Sequence, residues 1–124
     1  MQQRRPVNLN FLTIKFPITA WVSILHRLSG ALVFLLIPVL LWMLQESLSS
    51  ETRYYGLINQ LHHPLIKTLL FGFLAALFYH FIAGVRHLLM DIHIGESKHE
   101  GKVGAWLVLG VSLIISISIG CWLW

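Results

Sequence analysis

The chain has 124 residues, 56% hydrophobic and 11% charged, with a mean hydropathy of +0.73. A soluble domain carries about 25% charged residues, so this chain has too little polar surface for a water-soluble globule and reads as a single integral-membrane domain, 1–124. Its net charge of +4 sits on residues that flank apolar runs, which assigns the charge to membrane orientation and argues against nucleic acid as a partner.

The first segment, residues 1–20, is polar and basic. From Met1 to Lys15 it shows neither the apolar h-region of a signal peptide nor the pattern of an amphipathic transit sequence. The first apolar span follows at about 21–44, with Thr19 as a candidate N-cap and Pro38 expected to kink the helix inside the bilayer. Trp21 and Trp42 lie 21 positions apart, about 31 Å of helix, which suits one aromatic belt residue at each interface. A loop from Gln45 to Pro64 leads to a second span at about 65–90. The third, at about 103–124, is bracketed by Trp106 and the Trp122/Trp124 pair and carries the small residues Ser112, Ser116 and Gly120 four apart, a face for helix packing. Each span meets the roughly 20 residues needed to cross about 30 Å of hydrocarbon.

Basic residues orient the spans. Arg4, Arg5, Lys15, Arg27, Arg86, Lys98 and Lys102 fall on one side, and Arg53 and Lys67 on the other. The positive-inside rule then places the N-terminus and the second connection in the cytoplasm. The expected fold is all-α, an integral membrane protein with three transmembrane helices and a cytoplasmic N-terminus. Three helices make a thin bundle, so a partner chain is expected. A bacterial inner membrane fits, with a processed mitochondrial chain as the alternative. Cys121 is the single cysteine, and no C-x-x-C-H occurs, so any haem is held non-covalently.

The chemistry concentrates in two stretches. The second span contains His80, with Gly84 four residues on and Arg86-His87 beyond it. An ionisable side chain at membrane depth marks a candidate functional site, and a neutral imidazole there is a good axial ligand for haem iron. Gly84, one turn from His80, would leave room for a flat macrocycle, and Arg86 and His87 would meet its anionic propionates nearer the surface. The bland alternatives are that His80 bonds to a neighbouring helix or lines a proton path. Levelling the two helices on Arg27 and Arg86 sets His80 opposite Val33, where no ligand stands. His26 falls nearer the level of Arg86, and His62 and His63 lie about 25 Å away. A six-coordinate haem would therefore need its second histidine from another polypeptide.

The first span carries Ser23-Ile-Leu-His-Arg-Leu-Ser-Gly30. Ser23 and Arg27 share a helix face, and a hydroxyl with a guanidinium beneath it suits a quinone carbonyl that gains negative charge on reduction. Alternatively, Arg27 snorkels as an anchor and Ser23 bonds its own backbone. Asp91 either pairs with an arginine or is a solvated helix end.

These motifs, Ser23 to Gly30 and His80-x3-Gly-x-Arg-His-Leu-x2-Asp91, resemble those of the cytochrome b membrane-anchor subunit of succinate dehydrogenase. Arg5-Pro-Val-Asn-Leu9 and Phe16-Pro-Ile-Thr19 resemble its bacterial form, and the likeness covers nearly the whole chain. The resemblance implies a haem b shared with a second small anchor, each chain giving one axial histidine, here His80. It implies ubiquinone contact at Ser23 and Arg27, haem-propionate contact at Arg27, and a polar shell from His26, Arg86 and His87. It further implies an iron–sulfur subunit and a succinate-oxidising flavoprotein subunit as partners, since this chain has no flavin or cluster motif. Within the family, fumarate reductase working with menaquinone and a haem-free anchor are the competing readings. A small multidrug or ion transporter would place an acidic residue mid-span, whereas Glu46 and Asp91 lie at span ends.

Overall fold

A computed structural model describes residues 15–124. Arg4, Arg5 and the Arg5–Leu9 stretch lie outside the described residues. The described chain is all-helical: α1 (Ile18–Ser49), α2 (Glu51–Leu61), α3 (Pro64–Asp91) and α4 (Lys98–Leu123). Three of them, α1, α3 and α4, are long and apolar enough to cross a membrane.

Helix starts and stops follow local chemistry that hydropathy alone does not register. α1 starts after Pro17, whose carbonyl accepts from the backbone N–H groups of Ala20 at 2.9 Å and Trp21 at 3.3 Å. Proline's fixed φ and extended ψ turn the chain into the helix there, so Thr19 lies inside the first turn and is not the N-cap. The helix continues through Pro38. The stretch expected as a loop is instead the end of α1 plus the short helix α2. The Ser50 hydroxyl caps α2 by accepting from the Arg53 N–H at 3.2 Å. The Arg53 guanidinium donates to Glu46 at 3.1 Å, linking the two helices. The imidazole of His63 caps α3 by accepting from the Leu65 N–H at 3.3 Å, with Pro64 at the first helical position.

After Asp91 the chain reverses through His93 (φ +65°) and Gly95 (φ +75°). α4 then begins at Lys98, ahead of the apolar run at Val103, because Ser97 and Glu100 form a reciprocal capping box. Asp91 is exposed and forms no ion pair among the described residues, so it is a solvated helix end.

α3 is the middle element and runs antiparallel to both long neighbours. Towards α1, Gly30 faces His80 while Gly84 faces His26; towards α4, Gly104 faces Arg86 while Gly120 faces Phe71. The buried core is small: Val22, Ala83, Ala105 and Val108, with Ile18, Tyr79, Ile82 and Leu109 packed against it. It lies where α1 and α4 begin and α3 ends. Alanines at these contacts let the backbones approach closely, which is how membrane helices associate without a hydrophobic drive between them. Elsewhere large apolar side chains point outward, including Trp21, Trp42, Trp106, Trp122 and Trp124. At the other end Lys67 donates to the Leu123 carbonyl at 2.9 Å. There an apolar groove of about 420 Å³, lined by residues such as Leu36, Trp42, Leu61 and Phe73, opens between α1, α2 and α3.

Candidate functional site

The contact between α1 and α3 gathers three histidines. The rings of His26 and His80 stack with centroids 4.3 Å apart and planes 7° from parallel. The ring of His87 lies 4.9 Å from that of His26, tilted by 42°. Glycine at position 30 makes the approach of His80 possible. A Cβ on Gly30 would sit 2.7 Å from His80 Cε1, and one on Gly84 would sit 3.4 Å from His26 Nε2. The space beside Gly84 is thus taken by the His26 ring.

Two close contacts favour one tautomer of His80. Its Nδ1 lies 3.1 Å from the carbonyl oxygen of His26 and 3.3 Å from the hydroxyl of Ser29. A carbonyl can only accept, so Nδ1 carries the proton and donates it. The lone pair of the neutral ring then belongs to Nε2, which has no hydrogen-bond partner among the described residues. Ser29 donates its own proton to the His26 carbonyl at 2.8 Å. This is the arrangement of a metal-ligating imidazole, whose second nitrogen is tied to a backbone carbonyl so that the first is aimed outward.

The expectation that no histidine of this chain reaches His80 needs correcting. His80 faces His26, Ser29 and Gly30, rather than Val33. Levelling on the two arginines assumed that both reach for the same surface. Arg86 does not: its side chain is 8% exposed and its guanidinium donates to the Gly101 carbonyl at 3.1 Å, on the first turns of α4. A Cβ on Gly104 would come within 3.3 Å of Arg86 Nε, so that glycine makes room for the arginine. Even so, His26 is not placed as an opposing ligand. Stacked rings present their faces to one another, whereas two ligands of one metal must point nitrogen lone pairs at each other across it.

The remaining sequence candidates separate. His87 joins the histidine group through His26. Ser23 is half-buried and Arg27 exposed one turn on, and neither side chain has a hydrogen-bond partner among the described residues. Buried His26 Nε2 is also unpartnered there. Ser29 and Gly30 lie in the Ser23–Gly30 motif, but sequence alone assigns them no role of their own, nor does it assign one to Tyr79. Tyr79 donates to the Val22 carbonyl at 3.0 Å, pinning α3 to α1 beside His80. The signal for the first two was the Ser29-Gly30 pair of small residues one turn after His26, where α1 can be closely approached.

Similarity to known proteins identifies the family. The family model described as succinate dehydrogenase/fumarate reductase transmembrane subunit matches residues 1–119. The succinate dehydrogenase cytochrome b556 subunit of Coxiella burnetii is 38% identical over 125 aligned positions, covering 100% of both chains. That of Rickettsia felis is 31% identical, covering 92% of this chain and 89% of its own. The cytochrome b560 subunit of Reclinomonas americana is 31% identical, covering 94% and 85%. The chain belongs to this family of succinate dehydrogenase cytochrome b membrane subunits and is a multi-pass membrane protein.

Proposed function

We propose that this family member is the haem b- and ubiquinone-binding anchor of a succinate:quinone oxidoreductase in a bacterial inner membrane. One observation carries the reading: a membrane-span imidazole, His80, whose Nδ1 lies 3.1 Å from a backbone carbonyl, a contact that suits a ring with its lone pair on Nε2. That donor set fits a haem iron ligand, and the cytochrome b names of the relatives point the same way. Bound there, the haem would supply a one-electron carrier at membrane depth.

The chain's own residues then divide the work. His80 would hold the haem iron, with the His26 carbonyl beside its Nδ1 orienting the ring. The unpartnered His26 Nε2 and nearby His87 supply polar contacts for an acidic cofactor edge. A second small anchor would supply the other histidine, since the stacked His26 ring offers His80 its face and no nitrogen. Ser23 and Arg27, one turn apart, receive ubiquinone. The hydroxyl donates to a carbonyl oxygen and the cation stabilises the charge that grows there as electrons arrive. The electrons come from an iron–sulfur subunit supplied by a flavoprotein that oxidises succinate. Lys15, Arg27, Arg86, Lys98 and Lys102 lie towards the end where α1 and α4 begin, and by the positive-inside rule that end, with the N-terminus, is taken as the cytoplasmic one.

The test uses the purified complex. His80→Leu should alter the reduced-minus-oxidised haem spectrum, and an unchanged low-spin spectrum would refute ligation by His80. Ser23→Ala and Arg27→Leu should impair quinone reduction while succinate oxidation by a soluble artificial acceptor persists. Equal loss of both activities would refute the quinone assignment.

A further inference from the structure

We infer that Ser29 is a positioning residue for His80, holding the imidazole in the ring orientation that a metal ligand requires; this rests on the proposed ligation by His80. Three atoms close a ring of contacts. Ser29 Oγ donates to the His26 carbonyl at 2.8 Å, His80 Nδ1 lies 3.1 Å from that carbonyl, and it lies 3.3 Å from Ser29 Oγ. The hydroxyl has one proton, already directed at the carbonyl, so its lone pairs face the Nδ1–H.

The carbonyl alone is a poor sole acceptor. As a helical residue, His26 already offers its oxygen to the N–H four positions on. Ser29 thus provides the imidazole with a second acceptor. It is 8% exposed, so bulk water has little access to replace the hydroxyl. Gly30 completes the seat, since any Cβ there would strike the ring. Partners of this kind raise the basicity of a ligand and restrict its rotation, and their loss lowers metal affinity about 10–100-fold.

The experiment compares complexes carrying wild-type chain, Ser29→Ala, Ser29→Thr and His80→Leu, by haem redox titration, electron paramagnetic resonance and the rate of haem transfer to apomyoglobin. Ser29→Ala should raise the haem midpoint potential, because a less basic ligand favours the reduced iron. It should also weaken haem retention about 10–100-fold. Ser29→Thr, which keeps the hydroxyl, should stay near wild type. If His80→Leu changes the spectrum while Ser29→Ala leaves the potential and g-values at wild-type values, the role of Ser29 is overturned and ligation survives. Equal shifts in the alanine and threonine variants also overturn it, since packing and not the hydroxyl would then be responsible. An unchanged His80→Leu spectrum removes the ligation itself. If Ser29→Ala fails to assemble, Ser29→Cys, whose sulfur is a weaker acceptor, takes its place in the same redox titration: an intermediate rise in potential supports the inference and a wild-type potential overturns it.

Discussion

The two sides of α3 differ more than their shared helix suggests. Towards α1 it presents His80 and His87, which meet another histidine, a serine and a glycine. Towards α4 it presents Arg86, buried and bonded to a backbone carbonyl. Consecutive residues, Arg86 and His87, therefore serve different faces. On the first face a nitrogen lone pair and a buried ring nitrogen are left without partners, a state that favours a ligand. On the second, the guanidinium bridges α3 to the first turns of α4, and the contact is structural.

Three substitutions probe this contrast. The largest effect on the haem belongs to Gly30→Val. Its Cβ would lie 2.7 Å from His80 Cε1, so the pinned ring must leave its seat, and overpacking of this kind costs about 1–3 kcal/mol. The complex should lose most of its wild-type haem spectrum, whereas full retention would mean that His80 does not rest on α1. Next comes Arg86→Leu, which removes a charge-assisted bond worth about 1.5–3 kcal/mol. The thermal midpoint of the detergent-solubilised complex should fall while the haem band keeps its position. A displaced band with unchanged stability would move Arg86 to the cofactor side, as the sequence suggested. The smallest effect is expected for Ser97→Ala, which removes the hydroxyl acceptor of the capping box at about 0.5–2 kcal/mol. Hydrogen exchange should quicken in the first turn of α4 with no spectral change.

Hydropathy made the three spans legible, because crossing hydrocarbon demands length and apolarity that no other signal imitates. Their ends were less so. The capping box at Ser97 and the proline start at Pro17 act through a few hydrogen bonds that a hydropathy window averages away. α2 went unread for a related reason: its residues are polar enough to pass for a loop, and Ser50 and the Arg53–Glu46 pair organise them locally.

Sequence alone was enough to establish a three-span helical membrane protein, its basic asymmetry and the residue types of its site, since bilayer thickness and lipid polarity act on composition directly. Tertiary structure alone decided which residues meet. It set His80 against His26 and Ser29, turned its Nδ1 to a backbone carbonyl, and sent Arg86 to α4. Register between two helices depends on how closely their backbones approach, and glycines and alanines on facing surfaces determine that approach only once both helices are in place.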